Sequence, residues 1–415
     1  MLLRINKYRF LKVSSVVFIT TSLLDRSILP SGFDYLCFFI FALISVYFFI
    51  VKEKSIICPK KYYIYISIFL SIIIINGIAS PYTPPIQYFA IASIVTLLPF
   101  IYFIICYNYK LSRNEINKYI LLIIKTLLII STLTVIWAIF VQSGRNPFMI
   151  GFVASISNQG LILSISMYIT TTKNKYIKLS ALFIIIIIAS VQLKAMLGMV
   201  IILFSWLIYE NKNNKGRIAL YSISLMICIS MTIVFIPAIS SKITRYSNLY
   251  DISNQNSGIA RVALYYSSFE MAKNYFPLGT GQGTYGSIPT NIIYSDVYYD
   301  YNLSNIYGLE ENAKYNYKMD THWSSILGEN GTIGIAIYIL LLFYSYRQIN
   351  KFKESNNKYI FLHKFILLLS PTIMCIEAIT LAIPNRLAFM VIYSGLSAII
   401  LRYDIDNIVN KKQIN

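Results

Sequence analysis

The sequence predicts an all-α polytopic membrane protein of about twelve transmembrane helices, with one large outer loop that contains short helices. Three observations carry this reading. The 415-residue chain is 57% hydrophobic and only 13% charged, with a mean hydropathy of +0.62, too apolar for the surface of a soluble domain. Its apolar runs approach the ~20 residues needed to cross the hydrocarbon of a bilayer. Its 36 Lys and Arg against 17 Asp and Glu, a formal net charge of +19, are divided unevenly between alternate loops.

In chain order the runs lie near residues 12–30, 35–51, 62–79, 86–107, 118–141, 150–171, 177–192, 195–209, 218–237, 328–346, 359–381 and 384–402. Arg4, Lys7, Arg9 and Lys12 ahead of the first run mimic a signal peptide, but no small-x-small cleavage site follows, so it is read as a retained helix. The seventh and eighth runs are short and separated only by the turn from Gln192 to Lys194, as in a broken hairpin. With the N-terminus cytoplasmic, every inner loop is basic: 26 of the 36 cations and six of the 17 acids fall inside, a net +20, against −1 outside. The charge is therefore a topology signal toward anionic cytoplasmic lipid. Nucleic acid is excluded as a partner, because no basic cluster is joined to a reading module. Residues 1–237 hold nine spans, 238–321 the large loop, 322–402 three more spans, and 403–415 a tail that is cytoplasmic like the N-terminus. The five cysteines form no CxxC pair, so no zinc site or disulfide framework is encoded.

The loop at 238–321 carries thirteen tyrosines. Tyrosine can stack on a sugar face and hydrogen-bond a hydroxyl, and it is equally at home at a membrane interface. Within the loop, GIARVALYYSSFEMAKNYF (258–276) reads as an amphipathic helix, with Val262, Tyr265, Tyr266, Phe269, Ala272 and Phe276 at helical spacing and Pro277 as its stop. The following PLGTGQGTYG has glycines 279, 281, 283 and 286, but it follows a helix and precedes irregular polar sequence. A dinucleotide fingerprint fails on that context, leaving a tight turn that packs the loop onto the membrane domain.

Of the two histidines, His363 lies in the inner turn of a helix, whereas His322 opens the tenth span in DTHWSSILGENGTIG. At the outer surface a neutral imidazole, with a reference pKa of about 6.5, can accept a proton from a hydroxyl. A lone histidine is more often a hydrogen-bonded interfacial residue. Here, however, Lys194 at the outer end of the short hairpin and Arg261 at the start of the loop helix face the same side. A guanidinium offers a fork and an ammonium a mobile point charge to phosphate oxygens. Glu329 stands seven residues beyond His322, about 10.5 Å along a helix, too far for a direct hydrogen bond. It is read as securing a kink, or as facing substrate or a cation.

Over roughly residues 150–345 this pattern resembles the O-antigen polymerase and O-antigen ligase superfamily of bacterial inner-membrane enzymes. The features are a basic residue between paired helices (VQLKAMLG), a loop with an arginine, a helix and a P-L-G-x-G-x-G stretch (RVALYYSSFEMAKNYFPLGTGQG), and a histidine opening the next helix, with downstream glycines. The resemblance implies an undecaprenyl-diphosphate-linked glycan as donor, a sugar hydroxyl as acceptor, and a loop that is periplasmic. It also implies His322 as the base that activates the acceptor, and Arg261 and Lys194 as diphosphate ligands. The family's usual arginine at the hairpin is here Lys194, and Arg245 is a second loop cation that can substitute. Tyr265 and Glu329 complete the candidate set as substrate-binding residues. Membrane lipids and, by the resemblance alone, a chain-length regulator protein are the further partners.

A lipid diphosphate is already activated, so transfer needs positioning, charge stabilisation and a base, with no metal and no cofactor. The expected function is polysaccharide polymerase, with the growing glycan passing from undecaprenyl diphosphate to the non-reducing end of a lipid-linked repeat unit. The ligase, which transfers the glycan to lipid A-core, is the alternative. Two rivals remain: a metal-dependent glycosyltransferase using Asp25 and Asp34, and a lipid-linked oligosaccharide flippase. The absence of an internal repeat and the single large loop count against the flippase.

Overall fold

A computed structural model describes residues 7–24, 33–52, 56–140, 147–190, 192–211, 214, 216, 257–314, 316–351, 358–380 and 386–414. The ninth expected span, Arg245 and Asp25 lie outside the described residues. The helices are α1 (Lys7–Leu24), α2 (Phe33–Tyr47), α3 (Lys60–Ala79), α4 (Ile86–Tyr107), α5 (Arg113–Phe140), α6 (Pro147–Thr171), α7 (Asn174–Ala189) and α8 (Leu193–Glu210). After the undescribed stretch come α9 (Ser257–Asn274), α10 (His322–Leu342), α11 (Tyr344–Asn350), α12 (Lys358–Glu377) and α13 (Ser397–Ile414). A π-helical segment, Met390–Leu396, leads into the last of these. No strand occurs among the described residues. Seven helices there are long and apolar enough to cross a membrane, so the protein is polytopic and all-α. Helices stand at eleven of the twelve expected positions.

α6 is the central post. It packs against α5, α7, α8 and α12, and 94% of its apolar window is buried even though it carries Ser155, Ser157, Asn158 and Gln159, all fully buried. Polar groups away from water must find partners within the protein, and among the described residues all of these side chains do so except at Asn158 Oδ1. Gln159 Nε2 donates to the Ser370 carbonyl at 3.1 Å and its amide oxygen accepts from Ser370 Oγ at 2.6 Å. Ser157 donates to Ser131 at 3.1 Å. α8 can approach because Gly198 leaves room: a Cβ there would lie 2.7 Å from Asn158 Nδ2.

The tenth span begins at His322, and its polar stretch is packed against the loop, where the Glu329 carboxylate accepts from loop backbone and Asn330 Oδ1 from a loop side chain. α10 is interrupted at Gly331, with φ +66° and ψ −167°, and the glycine-rich loop docks against the break. Thr280 N donates to Gly328 O at 2.8 Å and Gly281 N to Glu329 O at 3.1 Å. The approach is too close for side chains, since a Cβ on Gly279 would sit 2.2 Å from Gly328 O. Gln282 donates to Asn330 at 2.7 Å and accepts from Thr96 on α4 at 3.2 Å. The glycine-rich stretch thus joins the outer loop to the bundle. It lies below a small second core of Ala260, Leu264, Met271, Tyr285, Val297, Tyr298, Leu303 and Leu309.

Candidate active site

The C-terminal end of α12 and the turn after it form the floor on which the candidate residues meet. Lys194, in the first turn of α8, reaches Glu377 at the C-terminus of α12: Nζ lies 3.4 Å from both its carboxylate and its carbonyl oxygen. Glu377 is fully buried and is further satisfied by Ser155 Oγ at 2.7 Å and Asn158 Nδ2 at 3.1 Å, both from α6. One residue further, the Ala378 carbonyl accepts from His322 N at 3.2 Å. The next carbonyl, Ile379, accepts from Tyr265 Oη at 2.8 Å; burial pushes that phenol up to about 12. Trp323 Nε1 donates to Cys375 O at 2.9 Å. One helix end therefore gathers side chains or backbone from α6, α8, α9 and α10.

Arg261, on α9, pairs with Asp320 at 2.7 Å, two residues ahead of His322. Both Arg261 and Asp320 lie within electrostatic reach of Lys194. The fork of Arg261 is only partly used, for its Nε is buried without a partner among the described residues. An unmet buried donor costs about 1–3 kcal/mol, which an anionic oxygen would relieve. The two cations, each held by a single carboxylate, make a pair of positive groups with exposed edges: the Lys194 side chain is 18% and the Arg261 side chain 24% accessible.

His322 is buried at the start of α10. Its Nε2 lies 3.1 Å from Tyr338 Oη, and Trp323 and Tyr338 enclose the ring at centroid distances of 5.6 and 5.5 Å. The contact with Tyr338 orients the imidazole ring through Nε2. Glu329 is placed elsewhere. Its buried carboxylate accepts from Gly283 N at 2.9 Å and Tyr285 N at 3.0 Å, so it holds the glycine-rich loop, in keeping with the kink-securing role open to it from sequence.

The structure thus brings together Lys194, Arg261, Tyr265 and His322, and sets Glu329 beneath them as a loop clamp. Sequence reasoning did not single out Asp320, Ser155, Asn158 or Tyr338 as site residues. The signals were present: an acid within an apolar run marks a functional site by default, and SISNQG is too polar for a lipid-facing helix.

Residues 179–339, from α7 to near the end of α10, match the profile of the O-antigen ligase family. No curated protein matches the sequence. The matched stretch contains Lys194, Arg261, Tyr265 and His322, and lies within the 150–345 range of the motif pattern in the sequence. Over residues 179–339 the chain is thus similar to the O-antigen ligase family, consistent with the O-antigen polymerase and O-antigen ligase superfamily that the sequence motifs resemble.

Proposed function

We propose that the protein is a polysaccharide polymerase of the bacterial inner membrane, a metal-independent glycosyltransferase acting on the periplasmic face. The meeting of Lys194 and His322 at the end of α12, with Arg261 beside them on Asp320, is the observation that carries this reading. In the proposed reaction, the diphosphate of an undecaprenyl-linked glycan lies between Arg261 and Lys194. The unpaired Nε of Arg261 and the mobile ammonium of Lys194 take up the charge of the leaving group. The non-reducing-end hydroxyl of a lipid-linked repeat unit attacks the anomeric carbon, and His322 accepts its proton. A carbon–oxygen bond forms to the acceptor, the bond from the anomeric carbon to the diphosphate oxygen breaks, and undecaprenyl diphosphate departs.

The description of the matched family favours a second reading, transfer of the same donor glycan to lipid A-core. Purified protein with lipid-diphosphate repeat units tests both. Lengthening of the lipid-linked glycan supports the polymerase. Transfer only when lipid A-core is added supports the ligase. Movement of lipid-linked sugar across a liposome bilayer without any new glycosidic bond would overturn both.

A further inference from the structure

α9 has two apolar faces. One packs inward through Ala260, Leu264, Met271 and Ala272. The other points away from the protein: Val262 is 57% exposed, Tyr266 and Phe269 65%, and Phe276, just past the helix end, 71%. Together with Lys273 these positions step by four, three, four and three residues, a narrow continuous stripe along one side of the helix. Such a stripe on an exposed helix marks an interaction surface.

The place of α9 in the fold says what covers it. Near its start the helix is tied to the rim of the bundle by Tyr265 on the Ile379 carbonyl at the end of α12. At its end it is tied by Tyr275 Oη, which donates to Tyr82 Oη at 3.0 Å in the turn between α3 and α4. These ties are ten residues apart, about 15 Å of helix, so α9 lies across the ends of the spans. Ile78 and Ile86, which flank the tied turn, are 82% and 80% exposed, and Ile379 is 47% exposed. Exposed apolar side chains of the bundle therefore flank both ties of α9. The aromatic content of the stripe suits the interface between headgroups and acyl chains. Lys273 within it can extend its ammonium to lipid phosphates, whereas a protein partner would have to bury that charge.

We propose that α9 lies in the membrane surface with Val262, Tyr266, Phe269 and Phe276 inserted in lipid, so that the bilayer holds the neighbouring Arg261 at the depth of lipid phosphates. The surface is independent of which glycan transfer the protein performs, and its test requires no activity. Phe269→Trp and, separately, Tyr266→Trp are reconstituted in nanodiscs of phosphatidylethanolamine and phosphatidylglycerol, with Ile292→Trp as a loop control. The fluorescence each variant adds to wild type is measured with lipid brominated near the headgroup end of its chains, and with aqueous iodide. The expected result is loss of most of the added signal at 266 and 269 with brominated lipid and little with iodide, and the reverse at 292. Quenching by iodide at 266 and 269 would place the stripe in water. Protection from both agents would place it under another protein or a second copy. Either result overturns the proposal.

Discussion

Arg261 and Lys194 are both cations, yet their surroundings assign them different work. Arg261 uses one nitrogen of its fork on Asp320 and leaves Nε unpaired, so replacing it with lysine keeps the charge and loses the planar donor set. Donor binding by Arg261→Lys is expected to weaken about tenfold or more, the worth of one charged hydrogen bond; unchanged binding in a lipid-diphosphate titration would remove Arg261 from the site. Lys194→Arg is expected to retain extension, since Glu377 and its partners can accept a guanidinium. His322→Ala should lower extension by about 10²–10⁴-fold, the usual contribution of a general base, with donor binding intact. Glu377→Ala leaves Ser155, Asn158 and Lys194 without their common acceptor. Solvent screens part of the Lys194 loss, and a destabilisation of about 2–3 kcal/mol remains, chiefly from the buried polar groups. Its readout is thermal unfolding in detergent, and an unshifted midpoint would refute the role given to this carboxylate.

Among the elements, the broken α10 and the glycine-rich loop form one unit, and neither has its shape without the other. Gly331 has positive φ, and a Cβ there would meet the Pro277 carbonyl oxygen at 2.4 Å, a backbone atom that cannot move aside. Gly331→Ala is therefore expected to cost at least about 2 kcal/mol and to open the loop to proteolysis. Gly216→Ala, whose Cβ would approach nothing closer than 3.5 Å, serves as the neutral control. Equal protease resistance in the two variants would contradict the docking described above. Most helix positions were legible from apolar runs, and α9 from its amphipathic spacing and the Pro277 stop, expected over 258–276 and found over Ser257–Asn274. The break within α10 was not, because hydropathy treats Glu329 and Asn330 as polar and cannot register that the loop supplies partners to them.

For the whole molecule, the uneven charge predicts that the turn at Gln192, the Val297–Asp300 region and the end of α12 face one side of the membrane, and that the turn between α6 and α7 faces the other. Single-cysteine labelling from each side of sealed vesicles checks this, and labelling of both groups from one side would invert or break the assigned topology. Glycan extension is expected to persist in chelator, as suits a leaving group stabilised by Arg261 and Lys194; loss of activity restored by a divalent ion would favour the metal-dependent rival. Of the candidate site, the identities of Lys194, Arg261 and His322 were readable because cations and a histidine are conspicuous against so apolar a background. Their counter-ions were not, since Asp320 reads as a loop acid and Glu377 lies 183 residues from the lysine that it holds.

By itself the sequence determined that the chain is helical and membrane-embedded, where most helices run, and which few ionisable groups stand at one end of them. Those properties follow from local apolar length and from the cost of placing charge in hydrocarbon, both of which can be summed along the chain. Tertiary structure alone decided that the end of α12 is the common floor for α6, α8, α9 and α10, that Glu329 clamps a loop, and that one face of α9 is left uncovered. Pairing, burial and exposure depend on which distant segments meet, and no local sum over residues contains that information.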